Sequence, residues 1–165
     1  QYDSRFNSTG PQFYKILSSW YMVPIMELIR IYSKKATPEF LASRLDISAA
    51  KVKSAVDILS ELKIVDGTKI LTDFMVMPNA YTQKDINKFY NDILEKAEWS
   101  MKYGKKGEKN ISTAILRMRK TDMEWAAKEL REFRRKLAKR LEEGEGHDAV
   151  YALSTLFFRL DRDND

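Results

Sequence analysis

From Pro38 to Thr72 the spacing of apolar residues changes period twice, and the changes predict a helix, a turn, a second helix and a two-stranded wing. Phe40, Leu41 and Leu45 fall on one face of a short helix whose first turn suits Pro38 and which should end near Asp46. Ile47 carries the turn inward, and the Ser48 hydroxyl is suited to accept a backbone N–H of the next helix. Val52, Val56, Leu59 and Leu62 then recur at steps of four, three and three, which gives that helix a buried stripe and leaves Lys51, Lys53, Ser54 and Asp57 on its open side. After Lys63 the apolar pairs Ile64-Val65 and Ile70-Leu71 flank Asp66-Gly67, a hairpin signal because glycine tolerates positive φ. Upstream, Ile25, Leu28, Ile29 and Tyr32 form one helical face behind Pro24. Together these segments spell a winged helix within residues 12–78, fronted by a polar lead-in from Gln1 to Pro11.

The second half reads differently. Residues 73–82 form an exit segment, Thr82 with Asp85 approximates a capping box, and Ile86, Phe89, Tyr90, Ile93, Leu94 and Ala97 follow at helical steps as far as Gly104. Lys102 to Lys109 is a basic, glycine-broken loop, read as a solvated connection rather than a phosphate clamp. Ile111 to Met118 and Val150 to Leu160 suit strands. Between them Thr121-Asp122 should cap a long helix with a heptad-like seam at Met123, Ala126, Leu130, Phe133 and Leu137, continued out of register at Leu141. The fold expected is therefore α+β and mostly helical: an N-terminal winged helix followed by a helix and a β-α-β unit, the latter two forming a second domain over residues 82–161. Two strands alone are a marginal sheet with an unprotected edge, so the second domain should be completed by a homodimer partner.

Composition narrows the function classes. At 165 residues the chain is one large domain or two small ones, and it contains no cysteine, which fits a reducing, cytoplasmic location. No apolar run approaches the ~18 residues of a membrane helix. The first residue is Gln1 rather than Met, so we expect an excised or processed fragment of a longer protein. Net charge is +5 and the pI about 9.3, compatible with a polyanionic partner. The excess is spread: residues 1–82 hold 10 Lys+Arg against 8 Asp+Glu, and residues 83–165 hold 19 against 16.

Catalytic chemistry finds little footing. His147 is the single histidine, set in a Gly-Glu-Gly-His stretch that resembles a helix terminus. Glu142, Glu143, Glu145 and Asp148 have no metal-ligand spacing, and neither a phosphate-binding loop nor a dinucleotide fingerprint occurs. We therefore expect no enzyme activity, no cofactor and no metal. The open side of the second winged-helix segment remains, with Lys51, Lys53 and Ser54 beside a major groove and Lys69 on the wing as the candidate contacts to double-stranded DNA. It contains no arginine to grip guanine bidentately.

Several short motifs, taken in order, carry a resemblance: Ser19-Trp20-Tyr21 with Pro24-Ile25-Met26-Glu27-Leu28, Val52 to Val65 with Asp66-Gly67 and Leu71-Thr72, Ile111-Ser-Thr-Ala, and Val150-Tyr-Ala-Leu before Leu156-Phe157. In this order the chain resembles a bacterial family first noticed as a major paralogous family in Fibrobacter and numerous in predatory Bdellovibrio-type bacteria. It departs from that pattern at Met22 or Val23, where relatives tend to carry a histidine or similar residue, and at Phe157-Phe158-Arg159-Leu160, where they tend to carry Phe-Pro-Leu. The resemblance implies a transcriptional regulator in which a repressor-type helix-turn-helix precedes this region, and it transfers no site residue. The function expected is a DNA-binding transcriptional regulator or its dimerising regulatory part. The alternative is a winged-helix module that binds protein or a small effector without touching DNA.

Overall fold

Helix α1, Met22–Tyr32, turns Met22, Ile25, Met26, Leu28 and Ile29 into the core; Ile25, Leu28 and Ile29 are on the face that the three-and-four spacing predicts, whereas Tyr32, expected with them, is only half-buried. In this computed structural model the described residues are 16, 19–71 and 83–162, with residues 83–86 described by backbone alone. The lead-in, the exit segment and the Thr82–Asp85 box lie outside the described residues. A single 3-10 turn, Ser33–Lys35, leads to Thr37, whose hydroxyl accepts the Phe40 N–H at 3.2 Å and starts α2, Pro38–Leu45. Pro38 occupies the first turn, where its missing N–H costs nothing. Asp46 ends α2 in the left-handed region at φ 53°, a conformation that Asp tolerates better than most residues.

Ser48 caps α3, Ala49–Glu61, by accepting the Lys51 N–H at 3.3 Å. Val52, Ala55 and Leu59 are buried on α3, while Val56 and Leu62 are only half-buried. The inward stripe is thus rotated toward Ala55, because a small side chain there lets α3 approach its neighbours closely. α1 packs against both α2 and α3, and α2 packs against α3. Ile64 and Val65, 3% and 2% exposed, extend the same core into a hairpin of β1, Val65–Asp66, and β2, Lys69–Ile70, which pair antiparallel with Val65 opposite Ile70 and Asp66 opposite Lys69. Asp66 is thus the last strand residue rather than part of the loop, which is Gly67-Thr68. Gly67 lies at φ +58° while Thr68 stays out of the positive region, the pattern of a turn with glycine at its first central position. β1 rests on α3 and β2 on α1.

Helix α4, Gln83–Tyr103, ends where Gly104 lets the chain close against Ser100. A Cβ at Gly104 would come within 2.6 Å of the Ser100 carbonyl oxygen. The basic loop that follows returns one side chain to this helix: the Lys109 ammonium donates to the Met101 carbonyl at 2.9 Å and to the Ser100 carbonyl at 2.7 Å, the latter shared with the Gly104 N–H. The chain divides into two compact units, Gln1–Lys109 and Asn110–Asp165, so α4 belongs with the first.

In the second unit, a 3-10 turn at Lys120–Asp122 leads into α5, Met123–Glu142. The cap expected at Thr121-Asp122 is not made by the Asp122 side chain. Its carboxylate instead accepts both arms of the Arg119 guanidinium at 2.9 Å each, a bidentate pair that outcompetes a single backbone N–H. At the other end the His147 ring Nε2 lies 3.0 Å from the Leu141 carbonyl, so the lone histidine serves a helix terminus. The β-α-β unit expected here is not formed. Among the described residues the only sheet is β1–β2, neither 111–118 nor 150–160 is in a ladder, and no other strand lies alongside them. The whole is mostly helical, with five α-helices among the described residues and a two-stranded sheet. Among the described residues no helix is long and apolar enough to cross a membrane.

Candidate nucleic-acid interface

Because α3 buries Val52, Ala55 and Leu59, the opposite face is fixed by helical geometry. It carries Ala50, Lys53, Ser54, Asp57 and Glu61, all exposed. The side chains nearest the start of the helix are short, which leaves its first two turns free to enter a groove. Lys53 and Lys51, two residues apart, point about 160° from each other around the axis at 3.6 residues per turn. The four candidate contacts are thus all exposed but do not converge. Lys53 and Ser54 share the open face, Lys69 stands on β2 opposite Asp66, and Lys51 turns to the flank. Among the described residues none of the three lysines is held in an ion pair, so each ammonium is available to a phosphate.

The flank that Lys51 faces is a cleft of about 330 Å³, open to solvent. Ser19, Trp20 and Tyr21 form one wall. The other wall is a single face of α4, with Lys88, Asp92, Glu95 and Lys96 at steps of four, three and one. Lys88 and Asp92 are paired at 3.0 Å, and the Lys96 ammonium stands 4.3 Å from the centre of the Trp20 ring, a cation–π contact. Trp20 is half-buried here, edge-on to Tyr21 with ring centres 6.0 Å apart. A second aromatic cluster joins α1 to α2: Tyr32 meets Phe40 edge to face at 4.9 Å, with the Arg44 guanidinium 5.0 Å from the Tyr32 ring.

Sequence reasoning missed the cleft. The Lys88–Asp92 spacing was visible as an i,i+4 pair, but no local signal links Trp20 to Lys96, 76 positions apart. Among the described residues no three His, Cys, Asp or Glu side chains gather where they could hold a metal ion.

Charge is distributed between the units in a way that halving the chain at residue 82 concealed. Residues 1–109 hold 17 Lys+Arg against 13 Asp+Glu, a net of +4, and residues 110–165 hold 12 against 11, a net of +1. Nearly all the positive excess therefore lies on the unit that carries α3. No curated protein and no solved structure matches this chain. A family does: the match covers residues 3–160, essentially the whole chain with both units, and the protein belongs to the family described as Domain of unknown function (DUF4423).

Proposed function

We propose that residues 22–70 are a winged-helix module that binds double-stranded DNA in a cytoplasmic transcriptional regulator of the paralogous type described above. The observation that carries this reading is the open face of α3: a helix clamped by capped ends and a buried stripe, with Ala50, Lys53 and Ser54 uncovered and a hairpin following directly. On this reading α3 enters a major groove and Lys69 of the hairpin lies near the adjacent backbone. Lys53 and Lys69 contribute phosphate contacts, Ser54 can bond either a phosphate or a base edge, and Asp57 is suited to accept from a cytosine amino group. Affinity on this reading is mostly electrostatic, since no arginine lies on the face.

The test is fluorescence anisotropy of the protein on labelled duplex DNA over a salt series. Replacing Lys53→Glu together with Lys69→Glu should weaken binding about tenfold and reduce the slope of log K against log salt by about 2. Equal affinity and slope for the wild-type and doubly reversed proteins would sink the DNA reading.

A second reading, a small-effector module, is favoured by one observation. The cleft beside α3 combines an aromatic wall with charged groups of both signs, including Lys51 and Glu95, which have no ion-pair partner among the described residues. Such a site suits a small zwitterionic or anionic molecule. Thermal-shift screening against nucleotides and amino acids should then find a ligand that raises Tm in the wild-type protein but not in Lys51→Ala. A panel without any such ligand removes this reading and leaves the first intact.

A further inference from the structure

The two units differ in one physical respect that local pattern does not explain. Among the described residues of the first, fourteen apolar residues are buried, Ile16 to Val65. Among the described residues of the second, 110–162, none is buried. That unit instead exposes thirteen large apolar side chains, among them Ile115, Leu116, Trp125, Phe133, Tyr151 and Phe158, each more than half in water. Among the described residues, 111–118 and 150–158 also make no backbone hydrogen bond. Ordering each residue costs conformational entropy that buried apolar surface has to offset, and here apolar residues such as Leu130, Leu137 and Phe157 are at most half-buried.

We propose that the second unit folds only as a homodimer, with α5 and the flanking segments 111–118 and 150–160 of two copies enclosing one shared apolar core. Three observations select a second copy over another occupant. The first is area: at about 200 Å² per fully exposed large side chain, the thirteen leave roughly 1,500 Å² of apolar surface per chain. A standard interface uses about 800 Å² per partner, whereas obligate homodimers, which are the more apolar class, use more. The second is charge. With 12 Lys+Arg against 11 Asp+Glu, two copies of this unit hardly repel, and the unit has little to offer a polyanion. The third is the seam at Met123, Ala126, Leu130, Phe133 and Leu137, whose heptad-like steps on α5 match those of an identical helix. The segments 111–118 and 150–158 then gain across the two-fold axis the backbone partners they lack within one chain. This inference goes beyond the DNA reading and does not depend on it.

The test uses the whole chain. Sedimentation equilibrium across the micromolar range should give twice the 19.3 kDa chain mass, and hydrogen exchange should find amides of 111–118 and 150–158 protected in that species. Phe133→Glu is the diagnostic variant, because its side chain is 56% exposed in the single chain and a charge there would not disturb a monomer. It should return the mass to 19.3 kDa and abolish protection in both segments, while the far-UV signal and Trp20 emission of the first unit persist. A wild-type mass of 19.3 kDa at every concentration overturns the proposal. So does a dimer in which both segments exchange at unprotected rates, since its interface would lie elsewhere. If Phe133→Glu fails to fold, the wild-type mass and exchange pattern still decide.

Discussion

Leu59→Ala is expected to lower the stability of the first unit by about 3 kcal/mol, within the range for truncating a fully buried leucine. Leu59 is completely buried on α3, and its carbonyl accepts the Ile64 N–H at 2.9 Å, so its position also fixes where β1 begins. Removing the isopropyl group opens a cavity between α3 and the rest of the core, which a helix tied at Ser48 and again at Ile64 cannot close by sliding. Small domains are stable by only about 5–15 kcal/mol, so the loss is a large fraction of the total. Urea unfolding followed by far-UV circular dichroism should show a lower midpoint at unchanged slope. The same truncation at Leu71, 49% exposed, should cost under about 1 kcal/mol. Equal costs at the two positions would mean that α3 is not held by this core.

Gly67→Val should be the next most damaging, at about 2 kcal/mol, and for a different reason. A Cβ at this position meets nothing within 4 Å, so packing is not at issue. The cost is conformational: at φ +58° an L-residue crowds its own backbone, and a β-branched residue does so most. Tm should fall by roughly 10 °C, taking 4–8 °C per kcal/mol for a domain of this size. Gly67→Asn should lose less, because Asn tolerates the left-handed region. Identical melting of the valine and asparagine variants would show that backbone conformation is not what selects glycine here. Since the hairpin carries Lys69, the valine variant should also weaken any DNA contact made by the wing.

What the sequence determined by itself is the set of features with short-range causes. Pro38 at a helix start, Asp46 at a helix end, the Ser48 cap and the positive φ of Gly67 each depend on a residue and its neighbours within a few positions. These rules also located α1 to α5 and the hairpin. The tertiary structure decided whatever depends on which surface comes to lie opposite which. It turned Ala55 rather than Val56 into the core, and it set the flank of α3 that carries Lys51 beside a cleft walled by α4. It brought Lys96 over Trp20, a contact that no local pattern encodes. The alternation in 111–118 and 150–160 was a sound sign of β propensity, yet neither segment became a strand within the chain. A ladder is a pairwise property: the period states which face could be buried, but hydrogen bonds form only where a second strand is in reach, and among the described residues this chain supplies none.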